Sequence, residues 1–310
     1  IGVTATPQSA SKKNPLKNHY NDIVCSIDIP DLIKEGFLAQ NITIAPKEVV
    51  DRAELAKKGN DFDDAIMGAK FSQPKYIQST IYAYQKHALG KKTIIFNATV
   101  EHSLKVTEAF RKAGYNCRHI DGGTPKAERD AAFRWLKITP DAILCNVGIA
   151  TTGFDEPTIE AVIVNKGTMS MPLWLQMTGR GGRIVDEKFI AEKQREYPYP
   201  LSLKKMFTII DMGGNAVTHG DWCDPRDWEY IFKNPKKPSQ KEAAAPSKSC
   251  DRCDAIIPAS ARICKWCGFE FPINEIKDEE QVMKEFIVVT KGINVKEIIN
   301  AHKDRKEYFT

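Results

Sequence analysis

The sequence predicts an α/β protein whose core is a parallel β-sheet with helices on both faces, followed by a small cysteine-rich module. Short and nearly continuous apolar runs alternate with stretches of helical periodicity between residues 91 and 215. Strands that are apolar on both faces are typical of parallel sheets covered on both sides. The second observation is a pair of Cys-x2-Cys motifs near the C-terminus. With 310 residues, of which 42% are hydrophobic, the chain can form more than one core.

Five strands are predicted in this sheet, over residues 93–97, 116–120, 141–146, 161–165 and 206–211. Helices are predicted over residues 101–112 and 125–137, which fill the first two intervals between the strands. Parallel sheets of this kind bind ligands beyond the carboxyl ends of their strands. Polar and glycine-rich segments follow the strands at residues 97, 121–123, 151–153 and 213–215.

The segments before residue 91 are less regular. Residues 1–7 form an apolar run closed by a proline and are predicted as a strand, and a second strand is predicted over residues 41–45 after a short helix at 31–35. Residues 47–90 have helical spacing and are predicted as helices that connect two larger bodies. Because the chain opens abruptly and without Met, we expect it to be the remainder of a longer protein.

Residues 233–249 are polar, basic and punctuated by proline, which predicts a flexible linker. The spacing Cys-x2-Cys-x10-Cys-x2-Cys behind it predicts a zinc ribbon over residues 250–271 that holds one Zn2+. The expected ligands are Cys250, Cys253, Cys264 and Cys267. Because all four positions are thiolates, the metal site is closed and therefore structural. Residues 272–310 are predicted as a C-terminal helical tail.

Composition limits the possible function classes. A net charge of +5 is compatible with nucleic-acid binding but does not establish it. No apolar run approaches the roughly 20 residues of a membrane helix, so no membrane partner is expected. The other four cysteines are scattered along the sequence, and three of them stand in apolar surroundings. Buried free thiols are expected there, which is typical of proteins in a reducing compartment. We therefore expect a cytoplasmic protein.

The sequence Q-M-T-G-R-G-G-R at residues 176–183 is the strongest candidate site. It places Arg180 and Arg183 among three glycines, directly after an apolar run. Arginine presents a planar fork of donors that fits phosphate oxygens, and glycine lets the backbone approach a ligand closely. At a helix start, such a pair could stabilise charge on a transferring phosphoryl group. In isolation, the same segment is equally compatible with a basic surface turn.

Together with other segments, residues 176–183 resemble the sixth motif of superfamily 2 DEAD/DEAH-box helicases, Q-x-x-G-R-x-G-R. The run T-T-G-F-D-E-P at residues 151–157 resembles the fifth motif, residues 93–97 the fourth, and residues 1–7, with their T-A-T, the third. The resemblance implies the C-terminal motor half of such an enzyme, with a RecA-like sheet. The implied domains are the end of a first RecA-like motor domain, connecting helices and a second RecA-like helicase domain, at residues 1–46, 47–90 and 91–232.

The resemblance implies an ATP site in which Arg180 and Arg183 reach the γ-phosphate and Gln176 helps to order the same site. Asp155 would accept hydrogen bonds from the ribose hydroxyls. Gly153 would allow the nucleotide to approach the backbone closely. Structural alternatives stay open, because Asp155 could cap a helix and Gln176 could be an exposed helix residue. The sequence contains no G-x-x-x-x-G-K-[ST] and no D-E-x-[DH]. ATP and Mg2+ would therefore be held mainly by a missing first domain, and this chain alone is expected to be inactive.

A DNA track is expected at the opposite edge of the sheet. Small donors at strand ends can hold a phosphate backbone without reading its sequence. Such donors are expected at Thr99, Gly122, Thr151 and Thr152. Thr4 and Thr6, in the position of the third motif, would couple closure of the ATP cleft to movement along DNA.

A narrower resemblance is to the RadD-type DNA repair helicases of bacteria and their phages. It depends on T-T-G-F-D-x-P, on I-I-D-M-G-G-N after the sixth motif, and on C-x-W-C-G-F-E-F in the cysteine module. It implies an ATP-dependent helicase or translocase that acts on single-stranded or branched DNA in a bacterial or phage-infected cell. Two other functions stay open: a non-catalytic nucleic-acid-binding module with a structural zinc, and a restriction-type translocase subunit.

Overall fold

The computed structural model describes residues 1–9, 14–46, 55–59, 61–149, 155–235 and 247–271. Its strands are β1 (Gln40–Ile44), β2 (Lys57–Lys58), β3 (Asp61–Phe62), β4 (Thr93–Asn97), β5 (Cys117–Ile120), β6 (Ile143–Asn146), β7 (Ala161–Asn165), β8 (Met206–Asp211), β9 (Ser247–Ser249) and β10 (Ile256–Pro258). Its α-helices are α1 (Ile29–Lys34), α2 (Asp64–Phe71), α3 (Pro74–His87), α4 (Val100–Lys112), α5 (Lys126–Ile138), α6 (Met171–Thr178), α7 (Glu187–Lys193), α8 (Asn215–His219) and α9 (Trp228–Lys233). None of these described helices combines the length and the apolar character that crossing a membrane requires.

Six of the strands form one parallel sheet in the order β1-β8-β7-β4-β6-β5. The neighbouring strands β4 and β7 are buried along their whole length, as is usual where helices cover both faces of a parallel sheet. Their valines and isoleucines favour strand structure because branched side chains pack well on a pleated surface. The predicted α/β fold class with a RecA-like parallel sheet is confirmed. All five predicted strands are present, each within two residues of its predicted bounds.

Alternation along the strands divides the apolar residues between two cores, because successive side chains point to opposite faces. On β4, Ile95 joins the core on the face of α2, α3 and α4, which also contains the buried Tyr84. The adjacent Ile94 joins the other core, which contains Trp174 of α6. Burial of one large apolar side chain contributes about 1.5–3 kcal/mol. The two cores therefore fix the sheet between its helical layers.

The first 90 residues differ from their predicted organisation. Residues 1–46 are predicted to hold the end of a first motor domain, and within them β1 pairs in parallel with β8, from Gln40 opposite Met206 onward. Residues 47–90 are predicted as connecting helices, and within them α2 and α3 pack on the same sheet. Residues 1–7 do not form a strand. The sequence of a short strand or helix does not specify which distant segment it packs against. This explains why the predicted organisation differs from the structure.

The cysteine module lies against the β1 edge of the sheet. Its strands β9 and β10 form an antiparallel hairpin. Ala255 forms a bridge with Ile44 of β1, and the Ala45 N–H donates to the Asp254 carbonyl at 3.2 Å. Ala255 is completely buried, and it belongs to the same core as α2, α3 and α4. The module is therefore docked on the sheet through apolar and backbone contacts.

Charged side chains add a second contact between the module and α3. The Asp254 carboxylate accepts a hydrogen bond from Lys86 Nζ at 2.6 Å and lies 3.1 Å from His87 Nε2. The hydrogen bonds from these two side chains hold the pKa of Asp254 below its ordinary value, despite its burial, which acts in the opposite direction. This contact therefore joins the module to α3 at a partly buried interface.

The predicted linker is shorter than residues 233–249. Residue 233 is the last residue of α9, and residues 247–249 form β9. Residues 236–246 lie outside the described residues, as does the predicted helical tail at 272–310.

Candidate functional site

The two candidate arginines follow the end of a helix. Ser170 caps α6 by accepting a hydrogen bond from the Leu173 N–H at 3.3 Å, and α6 ends at Thr178. Arg180 lies in a 3-10 turn over Gly179–Gly181. The arginines therefore follow the end of a helix and do not stand at a helix start. The end of a helix carries a negative partial charge, which suits cationic side chains but does not itself attract phosphate.

Glycine is required in this turn because the backbone packs against aromatic rings. A Cβ atom at position 181 would lie 2.2 Å from Phe207 Cδ2, and one at position 182 would lie 2.6 Å from the Trp222 ring. Both distances are far below van der Waals contact. Phe207 and Trp222 are themselves buried and packed edge to face at 5.3 Å. The glycines thus place the arginine backbone on a rigid aromatic surface.

Arg183 and Asp155 form an ion pair between Nη1 and Oδ2. Their side chains are 55% and 52% exposed, so each retains donors or acceptors for a further partner. No helix follows Asp155, and the alternative in which it caps a helix is not observed. The structure therefore brings together two residues that the sequence predicted to contact different parts of one nucleotide.

Lys204 ties together the two segments that present this pair. Its backbone exchanges hydrogen bonds with Val185, two residues after Arg183, at 2.8 and 3.0 Å. Its Nζ donates to the Pro157 carbonyl, two residues after Asp155, at 2.6 Å. Lys204 is only 6% exposed, and burial lowers its pKa to about 7. Sequence reasoning missed this residue, because a buried lysine looks like any surface lysine in the sequence.

The segment after Asp155 is also held by Glu156. Its buried carboxylate accepts hydrogen bonds from the Thr158 hydroxyl at 2.6 Å and from the Tyr197 hydroxyl at 3.0 Å. Burial, together with the charge of Glu156, raises the pKa of Tyr197 well above its ordinary value. The phenol therefore stays protonated and remains a hydrogen-bond donor. The position of Asp155 is consequently set by a buried polar network.

Arg180 and Gln176 complete the site. Arg180 is partly buried, and burial, followed by the positive charge of Arg183, lowers its pKa. Gln176 Nε2 donates to the Thr6 hydroxyl at 3.2 Å, so it is not a free exposed residue of α6. The Thr6 N–H in turn donates to Thr4 Oγ1 at 3.1 Å. One predicted coupling residue, Thr6, therefore contacts the predicted catalytic glutamine, and Thr4 contacts Thr6.

A cleft of about 410 Å³ opens beside the Arg183–Asp155 pair. Its lining residues are Phe37, Leu38, Asp155, Pro157, Arg183, Ile184, Asp186 and Phe189. Leu38 forms a backbone bridge with Arg183, and the Ala39 N–H donates to the Gly182 carbonyl at 2.8 Å just before β1 begins. The cleft therefore lies near the amino ends of β1, β7 and β8. Sequence reasoning missed Phe37 and Leu38, which follow a predicted helix stop and show no motif.

The residues predicted to hold DNA lie at the other edge. Thr99 follows β4 and caps α4, its hydroxyl accepting from the His102 N–H at 3.2 Å. Gly122 follows β5 in an exposed turn with open space around it. The turn is fixed by Asp121, whose carboxylate accepts from the Gly123 N–H at 2.7 Å and lies 2.9 Å from His119 Nε2. Thr151, Thr152 and Gly153 lie outside the described residues.

Cys250, Cys253, Cys264 and Cys267 form one cluster. Their sulfur atoms all lie within 4.8 Å of one another. The Sγ atoms of Cys250 and Cys267 are 3.6 Å apart, and those of Cys253 and Cys264 are 3.8 Å apart. A tetrahedron with Zn–S bonds of about 2.3 Å has sulfur–sulfur edges of about 3.8 Å. The donor set and its spacing therefore fit a four-thiolate zinc site.

Comparison with known proteins relates the chain to helicases. A family model described as the helicase conserved C-terminal domain matches residues 73–185. A 51.5 kDa protein of Lactococcus phage (isolate 7-9) is 28% identical over 301 residues, which cover 94% of this chain and 60% of the phage protein. A Schizosaccharomyces pombe protein named as a mitochondrial ATP-dependent helicase, irc3, is 32% identical over 189 residues, covering 61% of this chain and 31% of its own length.

A third relative is the type I restriction enzyme EcoAI endonuclease subunit of Escherichia coli. It is 25% identical over 215 residues, which cover 61% of this chain and 26% of that subunit. The chain thus spans less than two thirds of the length of each of these relatives. The family match begins just before α3 and ends two residues after Arg183, so it includes Asp155 and both candidate arginines. Residues 73–185 are therefore similar to the helicase conserved C-terminal domain, and the chain is similar in sequence to ATP-dependent helicases and to a type I restriction enzyme subunit.

Proposed function

We propose that this chain forms one wall of the ATP site of a DNA helicase or translocase. Arg180 and Arg183 contact the γ-phosphoryl group, Asp155 accepts from the ribose, and Gln176 orders the site. The observation that carries the proposal is the meeting of Arg183 and Asp155, from two separate segments, on the wall of one cleft. We also propose that Gly153 allows the nucleotide to approach the backbone closely.

The electrostatics of this wall support a phosphate ligand. Arg183 is close enough to Arg180 to lower its pKa, after burial, and the charge of Asp155 acts against this effect. An anionic γ-phosphate would reduce the repulsion between the two guanidinium groups. Each guanidinium has five N–H donors, so Arg183 can keep its bond to Asp155 while it donates to phosphate oxygens. Donors positioned before the reaction stabilise charge in the transition state without reorganisation.

ATP hydrolysis further requires groups that cradle the phosphates and Mg2+. We propose that a first motor domain with a P-loop supplies them and closes on this wall. The contact between Gln176 and Thr6 would carry that closure to the segment that precedes the domain. On its own, this chain is expected to show no ATPase activity.

The DNA track is proposed at the carboxyl edge of the sheet. Thr99 and Gly122 lie there, and Thr151 and Thr152 would complete the set. The Thr99 hydroxyl accepts one hydrogen bond but can still donate its proton to a phosphate oxygen. Such contacts are independent of sequence, as a translocating enzyme requires. Single-stranded or branched DNA in a bacterial or phage-infected cell is the proposed substrate, in line with the phage relative.

The cysteine cluster is proposed to hold one structural Zn2+. All four positions are thiolates, which leaves no open position for chemistry. Bound zinc would fix the fold of a module that has few apolar residues of its own. Because the module is docked on β1 and α3, the metal would also support that edge of the sheet.

The test uses the protein that carries this chain together with a P-loop motor domain. Arg183→Ala is expected to lower the kcat of DNA-stimulated ATP hydrolysis by about 10³-fold or more, while DNA affinity stays close to that of the wild type. Asp155→Ala is expected mainly to raise the KM for ATP, because a ribose contact is made before and during the reaction. Arg195→Ala removes an exposed arginine away from the cleft and serves as the matched control. ATP turnover that survives Arg183→Ala within tenfold would refute the assignment.

A restriction-type translocase is the second candidate, favoured by the relation to the EcoAI subunit. It would use the same motor site but would act beside a nuclease. Incubating the two-domain protein with DNA, ATP and Mg2+ separates the two functions. Strand cleavage would support the restriction type, whereas strand separation or translocation without cleavage would support the helicase.

A further inference from the structure

Phe37 is an aromatic side chain that lines the cleft and that no motif assigns. It is 64% exposed, although it lies in the same lining as Asp155 and Arg183. Exposed phenylalanine is unfavourable in water, because roughly 25 cal/mol is lost for each Å² of apolar surface left uncovered. Single exposed apolar residues are common on protein surfaces, so the place of this ring beside the Arg183–Asp155 pair, and not its exposure alone, is what suggests a ligand contact.

The backbone of Phe37 is fixed by the end of α1. Gly36 has a positive φ of 80°, a conformation that glycine adopts without strain. The Phe37 N–H then donates to the Leu32 carbonyl at 2.8 Å, which closes the helix as a Schellman-type turn does. In that turn the residue after glycine usually packs back on its own helix. Phe37 occupies that position, yet its side chain stays largely exposed, on a backbone held by this hydrogen bond.

The neighbouring residue links this turn to the arginines. Leu38 forms a backbone bridge with Arg183, the candidate phosphate contact. Phe37 directly precedes Leu38 in the sequence, so its backbone lies close to that of Arg183. The second ring in the lining, Phe189, is only partly exposed and packs near Tyr197 at 6.4 Å. Asp186 already accepts from the Phe189 N–H at 2.7 Å as the cap of α7. Phe37 is thus the lining ring that is most open to a ligand.

We infer that Phe37 is the platform on which the base of the nucleotide stacks. A nucleotide has an anionic end, a sugar with hydroxyl donors and a flat apolar base. The cleft has a counterpart for each of them in Arg183, Asp155 and Phe37, and its volume of about 410 Å³ is in the range of small-ligand pockets. This inference rests on the proposed function, because it names a further contact for the same nucleotide.

Recognition by stacking has a specific consequence. Every base has a π-face, so stacking tolerates different bases, and larger rings give larger contacts. We therefore expect purine nucleotides to bind better than pyrimidine nucleotides. Loss of the ring should weaken nucleotide binding by about 10-fold, within the range measured for base–aromatic contacts. Binding of a ligand without a base should not change.

The experiment uses the protein that carries this chain together with a P-loop motor domain and measures binding by calorimetry, with ATP and inorganic tripolyphosphate as the two probes. Phe37→Ala is expected to weaken ATP binding about 10-fold and to leave tripolyphosphate binding unchanged. Phe37→Trp should retain ATP binding, and its fluorescence should respond to ATP but not to tripolyphosphate. Tyr82→Ala removes a similarly exposed ring on α3, outside the cleft, and should change neither affinity. Far-UV circular dichroism and thermal melting confirm that each variant is folded.

The two proposals fail in different ways. If the wild type binds both probes and Phe37→Ala binds ATP as tightly as the wild type, the base platform is wrong while the phosphate site stands. If Phe37→Ala weakens both probes equally, the ring supports the fold of the site and the platform is also wrong. If Arg183→Ala retains the kcat of DNA-stimulated ATP hydrolysis within tenfold, the proposed function is wrong, and the inference falls with it.

Discussion

Removal of the buried amine of Lys204 is expected to change how stability depends on pH. Burial is the main cause that lowers the pKa of this amine from its usual 10.5 to about 7; Arg183 acts in the same direction, and Glu160 and Glu156 act against it. In the folded protein the amine therefore loses its proton near pH 7, whereas the unfolded chain keeps it up to about pH 10. Between these values the unfolded state binds more protons. The free energy of unfolding must consequently rise with pH in this window and be independent of Lys204 below about pH 6.

The size of the effect follows from the same shift. A fully developed difference of one proton changes the free energy of unfolding by about 1.4 kcal/mol for each pH unit. Because the folded amine is only half titrated at pH 7, the rise from pH 7.0 to 8.5 amounts to about 1.5 kcal/mol. Lys204→Met keeps most of the side-chain volume but cannot titrate, so it should lose this contribution. It also leaves the Pro157 carbonyl without its donor, which affects stability equally at both pH values.

The assay is urea unfolding of the wild type and of Lys204→Met at pH 7.0 and 8.5, followed by circular dichroism. For each protein, the change in the free energy of unfolding between pH 7.0 and pH 8.5 is determined. The prediction concerns the difference between these two changes. Other groups that titrate in this range, such as Lys92, whose burial lowers its pKa to about 8, cancel in that difference. Lys188→Met, which removes an exposed amine on α7, should behave like the wild type. An equal change with pH in the wild type and in Lys204→Met would refute the reasoning.

Two further predictions concern packing and metal binding. Cys264→Ser should lower the zinc content below one ion per chain and also lower the melting temperature of the sheet, because the module is docked on β1; one retained zinc per chain would contradict the ligand assignment. Gly181→Ala should lower the free energy of unfolding by about 1–3 kcal/mol, since its Cβ would lie 2.2 Å from the buried Phe207 ring. Gly122→Ala, which has open space around it, is the matched control, and equal urea midpoints for the two variants would contradict the packing argument.

The parallel sheet could be predicted because the sequences of its central strands are themselves typical of buried strands. β4 and β7 are short apolar runs that are buried on both sides, and such runs have few alternatives to strand structure. The membership of β1 in the same sheet could not be predicted. Its five residues, Q-N-I-T-I, are compatible with any sheet edge, and only the pairing with β8 assigns them.

The candidate site was predictable in its residue types and not in its contacts. Both arginines and Asp155 were identified from short motifs, but the ion pair of Arg183 with Asp155 depends on the path of two loops. Lys204 was missed because burial of a lysine is a property of its surroundings. The place of the arginines beyond the end of α6 was missed because three glycines are compatible with several kinds of turn. Contacts over long sequence separations are the part that local patterns cannot specify.

The docked module has a consequence for the solubility of the protein. β1 is the last strand at one side of the sheet, and such strands expose backbone groups that can pair with another molecule. Ala255 bridges Ile44 at the end of this strand, and the Ser249 hydroxyl donates to the Ala45 carbonyl at 3.3 Å. The module thus covers the carboxyl end of β1. A metal that holds the module in place would then also protect the sheet from edge-to-edge aggregation, and oxidation of the cysteines would expose that edge.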